Sequence, residues 1–229
     1  MFIEIVEYRC ASDAERATVA SWLEAAIPAL NRFGVDPVGA FVPVDEPADA
    51  TPDETPDKTK GAKRALYVVM PHETLYSVAS VRDQLANEAS LQGVEVNLTS
   101  SLLRPFAGAP TLERPATGAD RRFQLRIYES PSVVTGQKKI EMFHNGELDI
   151  FEQVGLTANF FGECIAGPRQ PNLTYLLSFE STADQRAAWG RFIADPAWKA
   201  LSSKPEYLDD VLIRHITNIE LKPLAASQL

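Results

Sequence analysis

In residues 153–156 the sequence reads Gln-Val-Gly-Leu, and in residues 32–35 it reads Arg-Phe-Gly-Val. Each of these stretches ends a predicted helix, because glycine readily takes the left-handed conformation that closes a helix. The stretches 101–106 and 219–224 match in the same way, and each ends a predicted strand near a proline. The chain therefore contains an internal duplication, and either copy can serve as a control for the other.

The two copies share one order of predicted elements, which is strand, helix, strand, strand, helix, strand. Hydrophobic periodicity distinguishes the helices from the strands. The predicted strands cover residues 2–8, 38–44, 65–70, 94–103, 123–128, 158–165, 173–179 and 211–221. The predicted helices cover residues 12–34, 74–92, 137–154 and 182–207, the last with a break at Asp195-Pro196. This order is the ferredoxin-like plan, so the predicted fold class is α+β.

The duplication also predicts the domain boundaries. Residues 1–106 form the first ferredoxin-like βαββαβ repeat, 107–121 a linker, and 122–229 the second repeat. Residues 45–63 are predicted to be an acidic loop, because they are rich in Pro, Thr and Asp and have little to bury. Each sheet has one face that no helix covers. The tandem repeats can cover each other or pair with a second chain, and both arrangements give a dimeric α+β barrel.

Composition excludes several classes of partner. The chain of 229 residues has a formal charge of −9, which argues against a nucleic-acid surface. No apolar run approaches the roughly 20 residues that span a bilayer, so no membrane insertion is expected. The first residues read as a strand rather than as an export signal, so we expect a cytoplasmic protein. Cys10 and Cys164 are then expected to be reduced, buried thiols.

Ordered motifs in the second repeat resemble the NIPSNAP family. These motifs are Phe-Gln-Leu-Arg-Ile-Tyr-Glu at 123–129, Phe-Phe-Gly at 160–162, Leu-Thr-Tyr-Leu-Leu-Ser-Phe-Glu at 173–180, Ala-Trp at 188–189 and Asp-Pro-Ala-Trp-Lys at 195–199. The first repeat is similar more loosely, since it has no arginine equivalent to Arg126 and no Asp-Pro-x-Trp segment. The resemblance implies the dimeric α+β barrel fold, which some monooxygenases, haem-handling enzymes and isomerases share more distantly. It implies no particular reaction, because fold does not determine function.

The first helix of the second repeat carries two polar candidates. Aligning the helices on Gly34 and Gly155 places His144 opposite Leu23 and Glu147 opposite an alanine in the first repeat. A buried carboxylate without a partner is costly, so this pair requires a reason. The two residues could satisfy each other or pair with Arg126. They could instead line a pocket, with His144 as acid or base and Glu147 orienting it. His-x-x-Glu supplies only two ligands, so no metal site is predicted.

Arg126 and Tyr128 lie on one face of their predicted strand, because side chains alternate along a strand. If Leu125 and Ile127 face the helices, Arg126 and Tyr128 face the barrel interior. An interior arginine could bind a carboxylate or phosphate group of a ligand. The alternative is an ion pair with a neighbouring carboxylate, for which the candidates are Glu129, Glu147 and Glu163.

The leading hypothesis is a binding protein whose barrel holds a small molecule or a protein partner, with no cofactor, and which forms a homo-oligomer. The alternative is a cofactor-free monooxygenase or isomerase acting on a small apolar ring compound, with His144 and Arg126 in one pocket. Haem binding would need an accessible axial histidine. The candidate catalytic residues are His144, Glu147 and Arg126, and the candidate ligand-binding residues are Arg126, Tyr128, His144 and Glu147. All of them lie in the second repeat.

Overall fold

The protein is an eight-stranded barrel with helices on its outer surface. A computed structural model describes residues 1–44, 64–88, 93–109, 112 and 116–229. The predicted acidic loop and part of the predicted linker lie outside these residues. The strands are β1 (Phe2–Arg9), β2 (Gly39–Pro43), β3 (Ala65–His72), β4 (Asn97–Pro105), β5 (Arg122–Glu129), β6 (Ala158–Ala166), β7 (Asn172–Phe179) and β8 (His215–Pro223).

The barrel closes within one chain. Its strand order is β1-β3-β2-β8-β5-β7-β6-β4, and all neighbouring pairs are antiparallel. Each repeat contributes four adjacent strands in the ferredoxin-like order. The two sheets join where β2 pairs with β8 and where β4 pairs with β6. The predicted α+β class with two βαββαβ units is therefore confirmed, and the partner that covers each sheet is the other repeat.

The helices pack on the outside of the barrel. They are α1 (Asp13–Arg32), α2 (Leu75–Asn87), α3 (Val133–Met142), α4 (Leu148–Val154), α5 (Thr182–Ala194), α6 (Pro196–Ser202) and α7 (Asp209–Leu212). A π turn at Phe143–Glu147 joins α3 to α4, and a 3₁₀ turn spans Pro205–Tyr207. The break predicted at Asp195 is confirmed, since its side chain caps α6. None of the described helices is both long and apolar enough to cross a membrane.

The first helix of the second repeat differs from its prediction. It begins at Val133 after the cap Ser132, and it is interrupted at the π turn rather than continuous to Val154. Gly146 has φ +140, a conformation that side chains other than glycine rarely adopt. Ser132 lies one residue farther from Gly155 than Ser12 lies from Gly34. The π turn absorbs this extra residue, as such turns do inside α-helices.

Among the described residues, the core lies in the barrel interior and on the helix-facing side of each sheet. Apolar side chains from all eight strands fill the barrel interior, and the remaining core residues lie between each sheet and its own helices. Leu125 belongs to the interior, whereas Tyr128 packs under the helices of the second repeat. The expectation that Arg126 and Tyr128 face the interior is therefore wrong. Cys10 and Cys164 are buried free thiols, one beneath the first repeat's helices and the other in the interior.

Candidate functional site

Five buried polar or charged side chains meet between the second sheet and its helices. We call them the polar cluster, and its members are Arg126, Tyr128, Lys139, Glu147 and Tyr175. Strands β5 and β7 supply the arginine and the two tyrosines, α3 supplies the lysine, and the π turn supplies the glutamate. Charged groups this deep are retained when they are paired and hydrogen-bonded. The contacts of each member therefore decide what the cluster does.

Lys139 is the centre of the ionic contacts. Its Nζ lies 3.4 Å from Oε2 of Glu147 and 3.7 Å from Oδ1 of Asp209 in α7. Burial acts to lower the pKa of Lys139, but the attraction of these two carboxylates outweighs burial and raises it. The ammonium group is also 5.6 Å from the centroid of the Tyr128 ring, within the range of a cation–π contact. Lys139 is thus charged at neutral pH and holds α3 against α7.

Arg126 and the two tyrosines form a hydrogen-bonded chain. Nη2 of Arg126 donates to the Tyr128 hydroxyl at 2.9 Å, and the Tyr175 hydroxyl donates to the same oxygen at 2.9 Å. The guanidinium carbon lies 4.8 Å from the centroid of the Trp189 ring. Burial raises the pKa of Tyr175 well above its ordinary value, although the charge of Arg126 acts to lower it. Tyr175 is therefore neutral, and the Tyr128 ring lies near two cations.

The first repeat has apolar residues at the matching strand positions. Val6 pairs with Val68 between β1 and β3, and Arg126 pairs with Tyr175 between β5 and β7. Both valines are buried, as are the two polar residues. At equivalent positions of the two sheets, the first repeat therefore has a pair of valines, and the second repeat has an arginine paired with a tyrosine.

The matching helix positions differ in the same way. Val19 is the seventh residue after the cap of α1, and Lys139 is the seventh after the cap Ser132. Ala26 and Glu147 lie at equal distances before the glycines that close the two helices. All four residues are buried. At four matching positions in the strands and helices, the first repeat therefore has apolar core residues, and the second repeat has the polar or charged residues of the polar cluster.

His144 does not join the polar cluster. Its side chain is exposed, and its ring centroid lies 5.4 Å from that of Phe106. Counted from the caps, His144 matches the exposed Glu24 rather than Leu23. The prediction that His144 and Glu147 are neighbours on a buried stripe is therefore wrong. The alignment on the closing glycines also failed to identify Lys139. Counting from the caps Ser12 and Ser132 identifies it, because this count places Lys139 opposite the buried Val19.

Arg126 and His144 consequently lie in separate regions. Arg126 is completely buried beneath the helices, whereas His144 is on the surface. An enzyme that needs both residues in one pocket has no support in this geometry. Of the other predicted partners of Arg126, Glu129 pairs with Arg214 and Glu163 pairs with Arg104. Within the described residues, no group of three or more His, Cys, Asp or Glu side chains could hold a metal ion.

Helix α3 separates two concave surfaces on the outside of the second repeat. The larger has a volume of about 700 Å³ and includes Val134, Ile140, His144 and Val211. The smaller, of about 380 Å³, includes Val133, Ile140 and Ile165. We call this region the α3 face and define it by its five apolar side chains, Val133, Val134, Ile140, Ile165 and Val211.

The α3 face exposes more apolar surface than the matching part of the first repeat. Val133 is 67% exposed and Val134 is 79% exposed. Counted from the caps, their matches are Asp13 and Ala14. Isolated exposed apolar residues are ordinary, but a group of them beside a groove is a candidate interaction site.

Comparison with known proteins agrees with this architecture. The family model that matches is NIPSNAP, over residues 123–228. Among curated proteins, none is significantly similar to this chain in sequence.

Solved structures of the same fold are very different in sequence. A protein from Lactobacillus acidophilus NCFM, proposed to be a monooxygenase, is 9% identical with a TM-score of 0.62, covering 97% of this chain and 93% of its own. A protein from Fusobacterium nucleatum with the same proposed activity is 10% identical with a TM-score of 0.60, covering 97% and 92%. An anthrone oxidase-like protein is 7% identical with a TM-score of 0.60, covering 97% and 90%. At these identities the likeness shows the fold alone.

Proposed function

We propose that the protein acts by binding a protein partner through the α3 face, which lies in the part of the chain that matches the NIPSNAP family model, residues 123–228. The observation that carries the proposal is the exposure of Val133 and Val134 at positions where the first repeat has Asp13 and Ala14. The duplication provides the comparison, since both helices begin with the same serine cap.

The shape of the α3 face suits a polypeptide better than a small molecule. Small-molecule sites usually enclose most of the ligand surface, whereas the two concave surfaces here are open to solvent and lie on both sides of one helix. Apolar and charged side chains line the larger groove together, and the charged ones are Lys138, Glu141 and Glu206. Protein interfaces usually combine apolar contacts with polar groups in this way. The expected partner presents an apolar segment that packs along α3.

The polar cluster supports this surface from below. Lys139 contacts Glu147 in the π turn and Asp209 in α7, so it links three elements that border the larger groove. A rigid surface loses less conformational entropy on binding than a mobile one. The proposed role of the cluster is therefore to fix α3 and α7 relative to each other, while the apolar residues above it make the contact.

Site-specific photo-crosslinking tests the proposal. A photoreactive amino acid is placed at Val134 or at Val211 in the full chain and irradiated in cells of the source organism. The matched control is Tyr76, an 80% exposed aromatic residue of the first repeat. We expect positions 134 and 211 to yield one and the same protein adduct, position 76 to yield none, and Val133→Glu to remove the adduct.

Two results would contradict the proposal. One is the same set of adducts from positions 134 and 76, which would mean non-specific contact. The other is an adduct only with a second copy of this chain. That result would assign the α3 face to the homo-oligomer that the sequence predicts, in place of a distinct partner.

A further inference from the structure

A second candidate site lies at one end of the barrel. The antiparallel order brings the ends of β1 and β5 together with the starts of β3, β4 and β7 at this end. At the opposite end the interior core includes the chain's last residue, Leu229, which is 3% exposed. The barrel is therefore filled at one end and has a small mouth at the other.

The mouth contains a small cavity of about 30 Å³. Its apolar floor is formed by Ile5, Leu125 and Ile219 of the interior core. Its wall and rim carry hydroxyl, amide and charged groups, from Glu7, Tyr67, Thr99, Asn172, Thr174 and Arg169. Roughly 10–15 Å³ on this measure holds one water, so the space admits a group of a few heavy atoms and no more. A small barrel of eight strands can hold one small ligand in this way.

Arg169 is positioned over the mouth by its backbone. The residue has φ +62, a left-handed conformation that a residue other than glycine adopts at a cost in free energy. Its Nη1 donates to Oγ1 of the buried Thr217 at 3.1 Å. A guanidinium group has five N–H donors in a planar fork, so this bond leaves donors for a further planar acceptor.

Tyr67 places a second donor in the cavity. The side chain is 4% exposed, and its hydroxyl makes no hydrogen bond with the residues that the structure describes. Burial raises the pKa of Tyr67, with the negative charge of Glu7 adding to the effect and Arg169 opposing it. Tyr67 is therefore neutral and can donate its O–H, and it is close enough to interact electrostatically with Arg169.

The remaining charge at the mouth is positive. Both oxygens of Glu7 accept hydrogen bonds from Arg9, at 3.2 and 3.1 Å, so its charge is compensated. Arg169 makes no ion pair with a described carboxylate. A guanidinium group and a phenolic hydroxyl are both donors that a carboxylate accepts, the first through two parallel N–H bonds and the second through one O–H bond.

We propose that the barrel mouth is a binding site for the carboxylate group of a small organic acid, held by Arg169 and Tyr67. The apolar floor limits the depth to the carboxylate and its first carbon atoms, so the rest of the molecule extends outward. This site shares Asn172 with the smaller groove beside α3, but its proposed binding groups do not belong to the α3 face and the proposal does not depend on the proposed protein partner.

An NMR titration of the full chain with sodium acetate, at constant ionic strength, tests the site. The signals followed are the Arg169 side-chain Nε–H and the backbone amides of residues 168–174. We expect saturable shifts with a dissociation constant of about 1 mM, which is within the range open to so small a ligand. Acetamide, which has the same shape and no charge, should produce no saturable shift.

Variants separate the site from general anion binding. Arg169→Gln should weaken acetate binding at least about tenfold, which corresponds to about 1.4 kcal/mol. Tyr67→Phe should weaken it less, through one lost hydrogen bond. The matched control is Arg214→Gln, because Arg214 is already paired with Glu129 at 2.8 Å. The thermal unfolding midpoint of each variant confirms that it is folded. Equal acetate binding by Arg169→Gln and the unmodified chain, or equal shifts with acetamide, would overturn the proposal.

Discussion

The two repeats have the same sheet order and a serine cap on the first helix of each, yet their helix-facing cores are built from different chemistry. The first repeat packs Val6, Val19, Ala26 and Val68 where the second has Arg126, Lys139, Glu147 and Tyr175. Any one of the charged groups alone would be a buried charge without compensation, which costs several kcal/mol. The difference teaches that these polar residues are compatible with the fold only as a set.

The largest effect is expected from moving one member of the polar cluster into the first repeat. Ala26→Glu buries a carboxylate in an apolar environment, and the matching cation position holds Val19. We expect the free energy of unfolding to fall by about 4 kcal/mol, measured by urea denaturation. The control is Ala25→Glu, an exposed site on the same helix, which should change it by less than about 0.5 kcal/mol. Equal losses at both sites would show that the apolar core of the first repeat does not distinguish them.

A smaller effect is expected from the two tyrosines that occupy the same strand position. Tyr128→Phe removes the hydroxyl that accepts hydrogen bonds from Arg126 and Tyr175. Leaving these buried donors unsatisfied should lower the free energy of unfolding by about 1–3 kcal/mol. Tyr8→Phe in the first repeat should cost less, because the positions that match Arg126 and Tyr175 are Val6 and Val68, whose side chains donate no hydrogen bond. Thermal unfolding of both variants measures the two losses of stability. Similar losses for Tyr128→Phe and Tyr8→Phe would contradict the prediction.

The smallest effect concerns the pH dependence of Glu4, a charged residue of the first repeat where the second has Gln124. Burial acts to raise the pKa of Glu4, but hydrogen bonds from His72, Ser100 and Arg82 outweigh it and lower the pKa below 4.5. A lowered folded-state pKa contributes stability that is present above 4.5 and is lost as the pH falls through the folded value.

The test of this effect is Glu4→Gln, which makes the first repeat resemble the second at this position. We expect the free energy of unfolding of the variant to vary less with pH in the acid range below 4.5 than that of the unmodified chain. Urea denaturation at a series of pH values provides the comparison. An unchanged acid dependence would mean that Glu4 contributes nothing to it.

Most of the fold could be predicted from sequence because it depends on local signals. Strand periodicity, serine caps and closing glycines each act within a few residues, and the duplication supplies a second instance of every element. Closure of the barrel within the chain could not be predicted, since it depends on pairing between β2 and β8 across the whole sequence.

The candidate site was predicted only in part, and the π turn is the reason. Glu147 is the last residue of the turn, so an alignment from the closing glycine identifies it correctly. Lys139 lies before the turn, so the alignment from the closing glycine is wrong by one residue at its position and does not identify it. The same error makes the exposed His144 look like the match of the buried Leu23. Whether Arg126 faced the interior or the helices depended on the whole sheet, because a strand shows its alternation but not which face is inside.

The central claim is that Lys139 and Glu147 stabilise the second repeat as a pair, and a double-mutant cycle tests it most directly. The variants are Lys139→Met, Glu147→Leu and the double substitution, measured by urea denaturation. We expect Lys139→Met alone to lower the free energy of unfolding by about 3–5 kcal/mol. We expect the double variant to lose about 2 kcal/mol less than the sum of the two single losses. Losses that add to within about 0.5 kcal/mol would contradict the account, because the two charges would then be independent.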